Sequence, residues 1–324
     1  MHQESASTAG HRPAPAYSVV IVAYRSEDAI AACLDSLFAD SAATGRCEAV
    51  VVDNSPDEGT WEALREYARA HPLRRVLTIR RPDNPGFARG CNLGASVAGG
   101  RILVFLNPDA CVLPGALDAL AARLDGHADI AVAGPQILAP DGSVVPTCRR
   151  LPTLWRIFLD ATGLDRLVGG YRMLHFDHAT ARPVDQVIGA CFAVRADDYR
   201  QRGGFDERFY IYFEEVDYCR RVLQSGGQVW FEPAARVRHA GGASCESAGA
   251  LEFTTAILRE SRTRYFDKHA GPWGRAGIRL LNRCEALAKA AALLALDIAE
   301  PNPARAAKAR GFIRVARGKW PPHP

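Results

Sequence analysis

The sequence predicts an α/β protein built on a doubly wound, mostly parallel sheet, Rossmann-like in its first half, with a helical extension at its C-terminal end. Three observations carry this expectation. Apolar, β-branched runs alternate with segments of helical spacing from Ser18 to Leu124, the order that builds a parallel sheet covered on both faces. The runs are continuous rather than alternating, as strands buried on two sides must be. Beyond about Leu251 no strand-like run remains, and the chain becomes helical and basic.

The elements follow in order. SVVIVAY (18–24) is the first strand. From Ser26 to Phe38 the apolar positions Ile30, Cys33, Leu34 and Leu37 have helical spacing, with Ser26 as the candidate N-cap. EAVVVDN (48–54) gives a second strand and Thr60–Ala70 a second helix. RRVLTIR (74–80) gives a third strand, and Asn84–Ala98 a turn running into a helix. RILVFLNPD (101–109) is the fourth strand, and Pro114–Leu124 a helix with proline in its first turn. IAVAGPQIL (130–138) and SVVPTCRR (143–150) read as strands around an Asp141-Gly142 turn. Residues 151–182 read as an excursion or lid. DQVIGACFAVRA (185–196) is a further strand, and the segment from Phe205 is a loop and a helix. QVWFEP (228–233) and ARVRHAGG (235–242) close the core. No internal repeat is visible.

At 324 residues the chain can hold one large domain plus an appendage, and its 48% apolar and 23% charged content is ordinary for a globular fold. Residues 1–16 are polar with two prolines, so a loose leader is expected, without the apolar core of a signal peptide. The nine cysteines are scattered with no C-x-x-C pair. That pattern predicts reduced, buried thiols in a cytoplasmic protein, neither a disulfide framework nor a zinc site. The net charge of +4 divides into +9 over residues 259–324 and −5 elsewhere. A basic tail suits an anionic partner such as a membrane surface; the plainer reading is a solvated helix face. No apolar run approaches the roughly 20 residues of a spanning helix. The best, ALAKAAALLALDIA (286–299), is broken by Lys289 and Asp297 and could lie on a bilayer or pack on the domain.

Open α/β sheets bind ligands beyond the carboxyl ends of their strands. There the first strand delivers Ala23 and Tyr24, and the second Asp53. The third delivers Asn84 and Gly86, and the fourth Asn107-Pro108-Asp109. Asp53 suits hydrogen bonds from a base or ribose, unless it merely caps a helix or an Asx-turn. Asp109 can hold Mg²⁺ or Mn²⁺, which prefer oxygen ligands and bridge to phosphates; its plainer role is a turn residue. Glu214, Glu215 and Asp217 crowd together after the aromatic run Phe209–Phe213. A helix N-terminus favours acids, but burial and mutual repulsion beside aromatics would raise one of them toward a general base. His239, before Ala240-Gly241-Gly242, could ligate the same metal. Arg89 could pair with phosphate and Asn92 lies beside it, although a surface arginine is the simpler account of the former.

The ordered series AYRSEDAI, VVDNSPDEG, NPGFARGCNLG, FLNPD, GACFAVRA, GGFDERFYIYFEEVDYCRR and VRHAGG resembles the family 2 glycosyltransferases, most nearly their rhamnosyltransferase-like branch, over roughly residues 17–265. The resemblance implies a GT-A fold and inverting single displacement. It implies that Tyr24 and Asp53 hold the nucleobase and that Asn84, Arg89 and Asn92 line the diphosphate side, with Ala23 and Gly86 also in the nucleotide-sugar site. Asn107 and Asp109 occupy the D-x-D position, with Asp109 and His239 as metal ligands for Mg²⁺ or Mn²⁺. Glu215 would be the base, with Glu214 and Asp217 beside it. Two departures stand out: Asn107 replaces a carboxylate, and Glu stands where Asp is common. The absence of a Q-x-x-R-W motif points to single sugar additions.

The expected organisation is a leader (1–16), a transferase domain (17–250) with a nucleotide-binding half (17–110) and an acceptor half (111–250), and a basic helical extension (251–324). The expected donor is a dTDP-, UDP- or GDP-sugar, dTDP-rhamnose foremost. The expected acceptor is a hydroxyl of a cell-envelope glycan or lipid-linked saccharide. The protein is expected in the cytoplasm, peripheral at the inner membrane face, with no nucleic-acid partner. A sugar nucleotidyltransferase would need a glycine-rich basic loop where AYRSEDAI stands. A non-catalytic nucleotide-sugar binding protein would have lost Asp109, Glu215 or Asp217.

Overall fold

Strand β1 (Tyr17–Ala23) sends Val19 and Ile21 into one apolar layer and Val20 and Val22 into the other, all of them buried. A strand apolar on both sides is stable only inside a sheet covered twice. In the computed structural model, which describes residues 14–41, 46–241 and 248–320, β1 pairs in parallel with β2 (Cys47–Asp53) and β4 (Ile102–Leu106). β3 (Val76–Arg80) lies outside β2. Helices α1 (Ile30–Ser41), α2 (Gly59–Ala70) and α4 (Ala116–Gly126) cover one face through Ile30, Leu34, Leu64, Leu117 and Leu120. Helices α3 (Phe87–Val97), α7 (Ala196–Gln201) and α8 (Glu214–Gln224) cover the other through Ala88, Cys91, Tyr199, Tyr218 and Val222. The doubly wound half is therefore as the sequence predicts.

The second half departs from a simple parallel series. β9 (Cys191–Arg195) inserts antiparallel between β4 and β6 (Ile130–Leu138). β10 (Gln228–His239) runs parallel to β6, and β5 (Ala110–Val112) pairs antiparallel with its far end. The sheet order is β3-β2-β1-β4-β9-β6-β10-β5, with β7 (Val144–Val145) on β6 and β8 (Arg182–Val184) on β10. QVWFEP and ARVRHA are thus one bent strand, its register with β6 slipping between Glu232 and Arg236. Pro233 sits at the slip, where it has no N–H to give a ladder. The fourth strand stops at Leu106; Asn107-Pro108-Asp109 turns the chain into β5, with Ala110 N–H donating to Asn107 O at 3.1 Å. Ser26 does not cap α1 with its side chain. Its Oγ bonds Tyr24, while its carbonyl accepts from Ala29 and Ile30. Pro114 precedes the N-cap, Gly115, instead of opening the helix.

Residues 151–182 hold α5 (Leu154–Thr162) and α6 (Asp165–Val168). The extension is α9 (Ala248–Ala299), broken at Gly271 (φ 65°) before Pro272, and α10 (Pro303–Ala316), capped by the Asn302 side chain. α10 returns along α9, burying Phe312 and Val315 against Ala256, Ala286 and Ala290. The extension is welded to the domain: Tyr265, Phe266 and Ile278 share one apolar cluster with Ile157, Tyr171, Phe209 and Phe213. No helix among the described residues is long and apolar enough to cross a membrane. The described cysteines are free thiols, Cys284 exposed. Residues 1–13 of the expected leader, Gly242 and Cys245 lie outside the described residues.

Candidate active site

The carboxyl ends of β1 to β4 meet along one edge. Asp53 ends β2 fully buried; its Oδ1 accepts from Ser55 N–H at 2.9 Å, the Asx-turn the plainer reading foresees, but its Oδ2 has no protein partner. Burial raises its carboxyl above the ordinary aspartate range, against the Ser55 hydrogen bonds and the Arg80 charge. Ala23, at the end of β1, accepts Asn54 N–H at 2.8 Å through its carbonyl. Tyr24 follows half-buried, close to Tyr210. Asn84 takes a left-handed conformation (φ 40°) and Gly86 φ 98° at the N-cap of α3. A Cβ on Gly86 would lie 2.7 Å from the Tyr210 ring, and Phe87 N–H donates to Tyr210 O at 2.7 Å. The turn after β3 is therefore seated on the aromatic segment that precedes Glu214.

Two predicted diphosphate residues are engaged elsewhere. Asn92 donates to Phe205 O (2.9 Å) and Glu207 (3.2 Å) and accepts from Tyr199 OH (2.6 Å) and Phe205 N–H (3.0 Å). With both amide hydrogens and its oxygen committed, it clamps the 204–207 turn and is not placed for a phosphate. Arg89 is exposed but paired with Glu207 at 2.9 Å.

The Asn-Pro-Asp turn meets β10. His239, opposite Ala110 in the β10–β5 ladder, places Nε2 3.1 Å from Asp109 Oδ1 and 3.2 Å from the Asn107 amide. The slip at Glu232–Arg236 lets the strand reach that position. One ring nitrogen cannot donate to a carboxylate and accept from an amide at once; with the amide turned over, two oxygens and one imidazole nitrogen converge. That donor set suits Mg²⁺ or Mn²⁺ with water and diphosphate oxygens completing the shell. No group of three or more His, Cys, Asp or Glu gathers among the described residues, so the protein alone does not form a closed metal cage.

The acids of α8 separate into distinct roles. Tyr212 (φ 66°) and Phe213 (φ 71°) stand in the left-handed region just before Glu214, a strain that surrounding packing must hold. Ser261 of α9 donates to Ile211 O at 2.7 Å, and Phe213 packs on Tyr265. Glu214 is buried and its Oε2 has no protein partner. Burial, then the neighbouring Glu215 charge, raises it well above the glutamate range. Glu215 is half-buried as a residue, but its Oε2 is buried and likewise has no protein partner. Burial of its carboxyl raises it too, opposed by backbone N–H groups including that of Gly189 and by the Arg149 charge. Ala190, next to Gly189, accepts Asn107 N–H at 3.0 Å, so Glu215 and the Asn107–Asp109 turn hang from one dipeptide. Asp217 does not join this pair. Fully buried, it lies 2.6 Å from Lys268, 2.7 Å from His269 and 2.9 Å from Arg221. Burial works against its charge, but those partners hold it below the aspartate range. It anchors α9 to α8. Gly189, Tyr210, Arg149 and Glu207 were not marked by the sequence: backbone donors and solvent-side charges leave no local pattern.

A doubly wound sheet with a strand-end Asp–His node and an acid-led helix on the same edge is the framework of a nucleotide-sugar-dependent GT-A glycosyltransferase. The chain belongs to glycosyl transferase family 2, whose family model matches residues 18–182. It is 30% identical over 271 residues, 74% of this chain and 81% of its relative, to the N-acetylglucosaminyl-diphospho-decaprenol L-rhamnosyltransferase of Mycobacterium tuberculosis. It is 26% identical over 209 residues, 63% of this chain and 61% of its relative, to the low-salt glycan biosynthesis hexosyltransferase Agl10 of Haloferax volcanii. Among solved structures it is similar to a mannosyltransferase of Pyrobaculum calidifontis in complex with GDP-Man and Mn²⁺ (TM-score 0.54, 17% identity, 94% of this chain and 87% of that one). It is also similar to GalNAc-T7 with UDP, GalNAc and Mn²⁺ (TM-score 0.52, 18% identity, 79% and 51%). The protein is a glycosyltransferase with the GT-A fold.

Proposed function

We propose that the enzyme is an inverting, metal-dependent hexosyltransferase. It transfers one sugar, rhamnose from dTDP-rhamnose foremost, to a hydroxyl of a lipid-linked saccharide or cell-envelope glycan at the inner face of the membrane. The observation that carries this reading is Glu215: a carboxyl raised by burial, its Oε2 without a protein partner, tied through Gly189-Ala190 to the Asn107–Asp109 turn. The likeness to the mycobacterial rhamnosyltransferase supports the donor and the lipid-linked acceptor.

In this mechanism the unpartnered Asp53 Oδ2 and Tyr24 receive the nucleobase, while Asn84 and the Gly86 turn bound the diphosphate. Asp109 and His239, with the Asn107 amide, would hold Mg²⁺ or Mn²⁺. When bound, such a cation draws off charge from the diphosphate leaving group. Glu215 accepts the proton of the acceptor hydroxyl as its oxygen attacks the anomeric carbon from the face opposite the diphosphate. Glu214, raised well above the glutamate range by burial and the Glu215 charge, favours a single negative charge on the pair. Arg89 would have to leave Glu207 to reach a phosphate.

The Glu215→Gln protein should bind dTDP with near-unchanged affinity by calorimetry and transfer sugar at less than about one-hundredth of the wild-type rate; unchanged transfer overturns the assignment. Chelation, or Asp109→Asn, should weaken dTDP binding; full activity in chelator overturns the metal role.

A further inference from the structure

The second half of α9, beyond the Gly271-Pro272 break, has one face against the protein and one face bare. Asn282, Glu285, Ala286 and Ala290 are buried. On the opposite side Trp273, Leu280, Leu287 and Leu294 recur every seven residues, 89%, 65%, 56% and 44% exposed. Cys284 and Ala291 stand exposed between them, and Ile298 one step beyond. Steps of three and four residues in alternation lay these side chains in one stripe along the helix. α5 widens it. Leu154 packs on Gly277, where a Cβ would come within 2.8 Å of the leucine. The next residue, Trp155, is exposed and stacks on Phe158 at 5.5 Å.

Charge identifies what covers this face. Arg279 and Arg283 border the stripe, exposed and without an ion-pair partner among the described residues. From Trp273 to Ile298 there are two acids: Glu285, buried on the other side beneath Arg259, Arg262 and Lys289, and half-buried Asp297, whose Oδ1 accepts Asn302 N–H at 2.7 Å. A second copy of the chain would bring the same arginines against a single carboxylate, Asp297, already engaged by the Asn302 N–H. Anionic lipid headgroups supply the missing charge, while exposed tryptophan and leucine suit the boundary between headgroups and acyl chains. The helix is too polar to span, so it lies in the plane of the surface.

We propose that the outer face of α9 from Trp273 to Ile298, together with Trp155 and Phe158 of α5, docks on an anionic lipid bilayer. This deepens the reading of a membrane-borne acceptor, and its binding readout uses neither donor nor acceptor. The full-length protein is sedimented with vesicles of phosphatidylcholine, with and without phosphatidylglycerol. It should bind the anionic vesicles, with quenching of tryptophan emission by brominated lipid. The Trp273→Glu/Leu280→Glu variant should partition at least about tenfold more weakly, with its circular dichroism, melting and turnover on a short water-soluble acceptor unchanged. Should that variant misfold, Arg279→Glu/Arg283→Glu, altered only at exposed side chains, should give the same loss. Absence of wild-type binding to anionic vesicles overturns the proposal. So does equal binding by the folded variants, or a wild-type dimer in sedimentation velocity that Trp273→Glu/Leu280→Glu dissolves. Lost turnover in a protein that still binds vesicles would instead count against the catalytic reading alone.

Discussion

Glu214 and Glu215 are consecutive, both raised by burial, and each has an Oε2 without a protein partner. Two such carboxyls titrate as a pair, so the acid limb of the rate profile reports a value belonging to both. Because the proposed base, Glu215, would act deprotonated, turnover should fall as pH drops through that value, which should lie above the ordinary glutamate range. Arg149 lowers Glu215, so Arg149→Gln should move the acid limb of kcat to higher pH; an unmoved limb would detach Arg149 from the base. The acids were legible in the sequence because a carboxylate pair directly after Phe209–Phe213 has no packing use. Asp217 looked the same there. Its partners Lys268 and His269 lie in α9, some fifty positions on, and only folding reveals that its charge is already matched.

Among elements, the parallel half was legible because each strand is an unbroken apolar run and each covering helix repeats its apolar residues at helical spacing. The remainder was obscured by pairing partners that no local pattern encodes. β5 is three residues long and shows no period, and β10 carries a slip at Pro233 that reads as a break. The direction of β9 is set by which edges β4 and β6 leave open. The turn before α3 depends on the strained segment before α8: Gly86 at φ 98° leaves no room for a Cβ against Tyr210. Gly86→Ala should therefore lower stability by roughly 1–3 kcal/mol in thermal melts and weaken nucleotide binding. An unaltered melt would mean that Tyr210 moves aside freely.

For the whole molecule, α9 and α10 are part of the framework that holds Glu214 and Glu215. Ser261 and Tyr265 brace the left-handed pair at Tyr212-Phe213, and Lys268 and His269 close over Asp217. Asp217→Ala should cost about 3 kcal/mol, the scale for removing one member of a buried ion network. Since the Asp217 carboxyl is held below its ordinary range, its contribution is complete above the unfolded-state value and lost as pH falls through the folded one. The variant should accordingly lose less stability than the wild type on acidification; parallel pH curves would refute this. The insertion of β9 between β4 and β6 also bears on how the chain is made. When β4, ILVFL, leaves the ribosome, the strand that will lie along its open edge is still about ninety residues from synthesis, a delay on the order of ten seconds. For that interval a nascent chain carries a bare, wholly apolar strand edge, so a chaperone bound near residues 102–106 and released only after Arg195 emerges would be expected to govern how much enzyme a cell obtains.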